Sequence, residues 1–232
     1  MNSERRVQRV RRVLEPIGNS KPDSIILREI AAAMGRRDSF DFASAGEIWD
    51  EIRSLWNAGA GISYARLEHG GLQWPCPDEQ HPGTPILHAG SFPHGPRAAL
   101  QRVEFHATDE TTNEEFPFLL TTGRALFQFN AGTMTSRTPN ARLRPSDTLD
   151  VSPKDACELG VADGDLVRVI SRRGVIRIPV RISDSVKPGE LFATFHSEDI
   201  ALNELVGSRR DSVTSTPEYK VIAVRVEKPP PR

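Results

Sequence analysis

Residues 151–182, VSPKDACELGVADGDLVRVISRRGVIRIPVRI, decide the fold of the second half of the chain. Ser152 is a good N-cap, Pro153 suits the first helical position and Gly160 suits a left-handed stop, so residues 153–159 form a short helix. Residues 162–165, Ala-Asp-Gly-Asp, form a turn. Residues 166–170 and 175–182 alternate apolar and basic side chains on either side of Ser171-Arg172-Arg173-Gly174. That pattern is a β-hairpin with one wet face.

Further strands lie on both sides of this hairpin. Residues 116–122, Phe-Pro-Phe-Leu-Leu-Thr-Thr, are a short apolar run ended by Gly123. A turn at 186–190 leads to a strand at 191–195, and 221–226 is the last strand. Several short strands, tight turns and one helix predict a small closed barrel, because closure removes exposed sheet edges.

The first half has a different character. Residues 2–14 place Val7, Val10 and Leu14 on one stripe of a basic helix, read either as a solvated surface helix or as a basic face toward an anionic partner. Residues 23–34 predict a helix with a buried face, capped by Asp23 and closed by Gly35. Ser44-Ala45-Gly46-Glu47 fits a capping box for a following helix with Ile48, Ile52 and Leu55 on one face, flanked by Trp49 and Trp56. Residues 57–96 are rich in Gly and Pro yet keep Trp74, Ile86, Leu87 and Phe92, as befits an ordered irregular segment laid over a partner surface.

The composition narrows the function. The 232 residues are 38% apolar and 26% charged with a formal net charge of −1, giving no general attraction to nucleic acid. No apolar run approaches the roughly 20 residues of a membrane span, and no apolar stretch follows the early arginine pairs, so a cytoplasmic chain without a signal is expected. Cys76 and Cys157 cannot supply a four-cysteine cluster or zinc site, and two free thiols are the simpler reading over a disulfide, with Cys157 in the core. His69, His81, His88 and His94 follow no common metal-ligand spacing. No nucleophile–base pair and no glycine-rich phosphate loop occurs.

Two stretches carry binding chemistry. In Thr121-Thr122-Gly123-Arg124 the glycine permits close backbone approach, the threonines offer hydroxyls and the arginine suits a phosphate. Residues 128–135, Gln-Phe-Asn-Ala-Gly-Thr-Met-Thr, gather amides and hydroxyls suited to the edge of a heterocycle, or else form a polar loop that satisfies its own backbone.

TTGRALFQFNAGTMTSRT (121–138), residues 151–196, ALNEL (201–205) and STPEYKVIAVRV (215–226) occur in this order and resemble the C-terminal dinucleotide-binding domain of the dimethyl-sulfoxide-reductase superfamily, in particular the formate dehydrogenase catalytic subunit. NSERRVQRV, EIWDEIR, GISYARLE, LQWPCP and HPGTPILH upstream resemble the same subunit. The resemblance implies an α+β, mainly β fold: a double-psi β-barrel like that of aspartate decarboxylase over 116–228, preceded by a smaller helical and irregular segment, 1–115. It implies that the barrel binds molybdopterin guanine dinucleotide, the Mo or W being carried by the assembled enzyme, with no iron–sulfur cluster in this chain.

Matched residue by residue, Thr122, Gly123 and Arg124 form the cofactor-contacting turn, and Gln128, Asn130 and Thr133 the loop toward the pterin and its phosphates. Related formate dehydrogenases often carry histidines at the positions of Gln128 and Asn130. His196 and Asn203 match the following loop, and Tyr219 and Lys220 the last segment near the cofactor. No catalytic residue and no metal ligand falls in the matched region, and Cys76 does not match the metal-ligating position. The implied partner is the remaining upstream part of the catalytic subunit, in trans or in a full-length protein, for which this chain is a split, truncated or excised part inactive alone. The alternative reading is a stand-alone pterin-nucleotide-binding or protein-interaction module.

Overall fold

The computed structural model describes residues 1–211 and 213–228. The chain divides into two compact units, Met1–Arg102 and Val103–Arg232.

The first unit holds β1 (Arg6–Val7), α1 (Asp23–Ala33), α2 (Ala45–Leu55) and β2 (Leu72–Gln73), with β1 and β2 antiparallel. Residues 2–14 do not form the predicted helix. Arg5 sits at a φ of 64°, the Asn2 side chain accepts from the Glu4 and Arg6 amides, and Arg6–Val7 pairs with β2 instead. In α1 the residue preceding the helix is Pro22, with Asp23 inside the first turn; Gly35, at a φ of 69°, follows the C-terminus. Only Ala31 of α1 is buried, while Ile26, Leu27, Ile30 and the following Met34 are exposed, so the predicted apolar face is uncovered in this unit.

The capping box of α2 forms: Ser44 Oγ accepts from the Glu47 amide at 3.3 Å, and Glu47 Oε2 accepts from the Ala43 amide at 2.9 Å. Its packing differs from the expectation. Ile52 and Leu55 are exposed, whereas Trp49 and Trp56 pack with Trp74 and Leu72 around Val7, Ile62, Leu67 and Cys76. Large rings cover a small core better than branched aliphatics do. The Gly- and Pro-rich segment is ordered by arginines. Arg66 donates to the carbonyls of Gly61 and His81, each at 2.7 Å, and Arg5 to those of Trp74, Thr84 and Pro85.

The second unit is the barrel. Its elements are β3 (Phe118–Gly123), β4 (Leu149–Val151), α3 (Pro153–Leu159), β5 (Leu166–Ser171), β6 (Val175–Ile182), β7 (Glu190–Thr194) and β8 (Ile222–Glu227). The strands close in the order β3-β7-β4-β6-β5-β8, and β8 returns to β3. β3 with β7 and β4 with β6 are parallel, and the other neighbours are antiparallel. This closed ring of six strands is the double-psi barrel. Leu120, Leu149, Ile178, Leu191 and Ile222 are fully buried inside it.

The hairpin alternates as read: Val167, Val169, Ile176, Ile178 and Val180 point inward, and Arg168 lies opposite Arg177 on the wet face. Arg168 is paired with Glu227 at 3.0 Å, which offsets the like-charge neighbour. α3 is capped by Ser152 Oγ, which accepts from the Asp155 amide, and ends at Gly160. Cys157, expected in the core, is exposed, because the short helix turns the adjacent Asp155 and Ala156 inward. Both cysteines are free. Residues 103–115 belong to this unit and are tied by Arg172–Glu110 at 2.9 Å and Arg225–Glu115 at 3.2 Å.

Candidate functional site

Strand direction brings the sequence-predicted residues to one end of the barrel. β3 and β7 run parallel and finish together at Gly123 and Thr194. The residues that follow them, Arg124 onward and His196 onward, therefore leave from the same end. β8 is antiparallel to β3, so Tyr219 and Lys220, just before it, arrive at that end too. β4 is antiparallel to β7, which puts Asp147, just before it, beside the start of the turn after β7.

Two clusters form there. In the first, Thr121 Oγ1 donates to the Lys220 carbonyl at 3.0 Å and Thr122 Oγ1 to the Tyr219 carbonyl at 2.8 Å. Lys220 Nζ returns a bond to the Thr122 carbonyl and lies 5.0 Å from the Tyr219 ring centre. The threonine hydroxyls are thus spent on the backbone. Gly123 is filled against the Phe192 ring: a Cβ there would stand 2.4 Å from it. Arg124 is exposed and makes no side-chain bond among the described residues. Tyr219 and Lys220 line a cavity of about 920 Å³ with His106, Arg209 and Arg210.

In the second cluster, Gln128, Thr133 and His196 line a cavity of about 470 Å³, together with Ser136, Arg137, Ser146, Ser197, Glu198 and Asp199. Gln128 is buried; its Nε2 donates to the Arg144 carbonyl at 3.0 Å and its Oε1 accepts from Thr135 Oγ1. Asn130, at a φ of 54°, and Thr133 are exposed on the loop above it. At Gly132 the loop touches the turn after β7, where a Cβ would stand 3.0 Å from the His196 carbonyl oxygen. Asn203 is exposed on a short 3-10 turn, Leu202–Leu205, and lines neither cavity.

The residues beneath the loop were not legible in the sequence. Asp147 is buried and accepts from the His196 amide at 2.9 Å and the Ser197 amide at 2.8 Å. Asp150 is buried and takes a two-pronged contact from Arg181. Donating to Asp150 raises the Arg181 pKa above its ordinary value. Burial, and next the charge of Arg181, lower the Arg144 pKa below its ordinary value, against the pull of Asp150 and Asp147. The only sequence trace of this network is Leu149-Asp150-Val151, too short for strand alternation to show.

The donor set fits an anionic dinucleotide. Arg124 and Arg137 are cations without a side-chain partner among the described residues, the second cavity is rich in hydroxyls, and the buried Thr194 Oγ1 also has no partner there. Among the described residues no group of three or more His, Cys, Asp or Glu is arranged to hold a metal ion. Residues 118–223 match the family described as "Molydopterin dinucleotide binding domain". The barrel is thus similar to molybdopterin dinucleotide binding domains over residues 118–223. Over 98% of its length the chain is 42% identical to F420-dependent formate dehydrogenase 2 subunit alpha of Methanococcus maripaludis, of which it covers 34%. It is 38% identical to F420-dependent formate dehydrogenase subunit alpha of Methanocaldococcus jannaschii, again covering 34% of that protein. The assimilatory nitrate reductase catalytic subunit of Bacillus subtilis is 33% identical over 90% of the chain, which covers 31% of it. Acetylene hydratase from Pelobacter acetylenicus shares the fold, with a TM-score of 0.62 at 14% identity over 94% of this chain and 34% of that one. The chain thus spans about a third of the length of the curated relatives it matches. No helix among the described residues is long and apolar enough to cross a membrane.

Proposed function

We propose that this chain is the C-terminal, molybdopterin guanine dinucleotide-binding portion of a formate dehydrogenase-like oxidoreductase, and that its barrel completes the cofactor site of a larger catalytic assembly. The observation that carries this reading is the convergence of Arg124, the 128–135 loop, His196, Tyr219 and Lys220 on one barrel end, in a domain matched to that cofactor class. Arg124 pairs with a cofactor phosphate, Asn130, Thr133 and Asn203 offer hydrogen bonds, and Tyr219 and Lys220 close the other side. Thr122 and Gly123 shape the turn that presents Arg124, and Gln128 and His196 underlie the loop. When bound, the cofactor supplies a molybdenum or tungsten centre for oxidation–reduction of the substrate. The metal ligand and catalytic groups come from the remaining part of the catalytic subunit, in trans or in a longer protein. The assembly is cytoplasmic and needs neither nucleic acid nor membrane. Exposed Val10, Val13, Leu14, Ile17, Leu27, Ile30 and Met34 support such a partner, since apolar side chains in this number suit a covered face.

The test is co-expression of this chain with the remaining catalytic portion, followed by pterin and metal analysis of the purified complex. Arg124→Ala should lower cofactor retention by about tenfold or more, the scale of losing a charge-assisted hydrogen bond, with an unchanged circular dichroism spectrum. Full retention by the variant would remove Arg124 from the site. A wild-type complex devoid of pterin would overturn the reading itself.

A further inference from the structure

The 128–137 loop rests on a single carbonyl group. The Arg144 carbonyl accepts from Gln128 Nε2 at 3.0 Å and also faces His196 Nε2 at 3.2 Å. On the far side of the imidazole, His196 Nδ1 lies 2.6 Å from Asp147 Oδ1. The amide oxygen of Gln128 accepts from Thr135 Oγ1, and that hydroxyl accepts from the Phe129 amide at 3.0 Å, so the loop closes on itself. Arg144 is in turn anchored to β4, its guanidinium bonded to Thr148 Oγ1 and 3.8 Å from Asp150. Gln128 is 6% exposed and His196 7%.

Above this node the backbone is held in an unusual shape. Asn130 and Gly132 have φ values of 54° and 74°, with Ala131 between them. Asn visits the left-handed region more readily than most residues, but it needs its surroundings to keep it there. The exposed groups of the loop, Asn130 and Thr133, owe their direction to that shape.

We propose that Gln128 and His196 are positioning residues: by converging on the Arg144 carbonyl they lock the loop onto the turn after β7, leaving Asn130 and Thr133 to meet the ligand. This rests on reading the loop as cofactor-facing. The physical ground is that both side chains are buried and Gln128 already has both polar atoms engaged by protein partners, so turning Gln128 toward a ligand would forfeit its bonds to the Arg144 carbonyl and to Thr135, and turning both side chains away would strand that carbonyl.

The test uses hydrogen exchange of the full chain, with no cofactor present, for Gln128→Ala and Gln128→Glu. Protection of the Gly132 and Ser136 amides, which close the loop onto Phe129 and Gly132, should fall about tenfold in Gln128→Ala, the scale of one buried hydrogen bond, while β5 and β6 amides stay protected. A protonated carboxyl can donate to Arg144 and accept from Thr135 as the amide does, whereas a carboxylate cannot donate. Gln128→Glu should therefore regain protection as pH falls through the carboxyl range, a response absent from the wild type. Unchanged loop protection in both variants overturns the proposal, most plainly if cofactor retention by the complex falls, since Gln128 would then be a direct contact. A wild-type complex that holds no pterin defeats the cofactor reading alone and leaves the exchange result standing.

Discussion

The barrel surrounds Leu120, Leu149, Ile178, Leu191 and Ile222 with a closed ring of strands, whereas the first unit gathers Val7, Ile62, Leu67 and Cys76 under three tryptophans and leaves much of its apolar surface in solvent. The barrel satisfies its backbone by strand pairing with no open edge. The Gly- and Pro-rich part of the first unit contributes only the two-residue strand β2, paired with β1, and arginine side chains take over the carbonyls that strands would have paired. One unit is held by apolar packing, the other by cationic clamps around a thin core.

The largest expected effect separates the two cores. Leu149→Ala, at a fully buried barrel position, should cost about 2–5 kcal/mol, measured by urea unfolding of the full chain. Leu55→Ser, at a position 81% exposed, should stay within about 0.5 kcal/mol. Equal losses at the two positions would mean that Leu55 is covered and the contrast is false.

An intermediate effect tests the clamps. Arg66→Met removes the donor from the Gly61, Asp78 and His81 carbonyls and should cost about 1–3 kcal/mol. The near-ultraviolet circular dichroism of the tryptophan cluster should weaken with it. Arg168→Met, on the wet face of the barrel, loses a half-exposed pair with Glu227 and should cost under about 1 kcal/mol. A reversed order would show that the first unit does not depend on its arginines.

The smallest effect lies in the loop before β8. The Thr214 hydroxyl, and after it the amides of Thr214, Thr216 and Val213, hold the Asp211 carboxyl well below its ordinary pKa. A carboxyl depressed in the folded state contributes stability that is fully present above its unfolded pKa and is lost progressively as pH falls from there through the lower folded value. Exchange protection of the Thr214 and Thr216 amides should therefore begin to decline as pH falls below the ordinary carboxylate range and keep declining into stronger acid. Asp211→Asn should lower that protection already at neutral pH and remove its dependence on acid. Protection that does not change with acid in the wild type would contradict the assigned bonds.

The hairpin of β5 and β6, the cap at Ser152, the stop at Gly160 and the capping box at Ser44 were all legible, because each depends on near neighbours in sequence. The sequence also placed the proposed cofactor contacts Arg124, Asn130, Thr133 and Lys220 outside its regular strands and helices. Tertiary structure alone decided the rest. It turned residues 2–14 away from a helix by pairing Arg6–Val7 with Leu72–Gln73, more than sixty positions away. It made Leu149–Val151 a strand through partners on β6 and β7. Through that pairing it set Asp147 against His196 and gave the Arg144 carbonyl to Gln128. Contacts of this kind join residues far apart in the chain, where local pattern carries no signal, and they form only once the barrel has closed and excluded water from their polar groups.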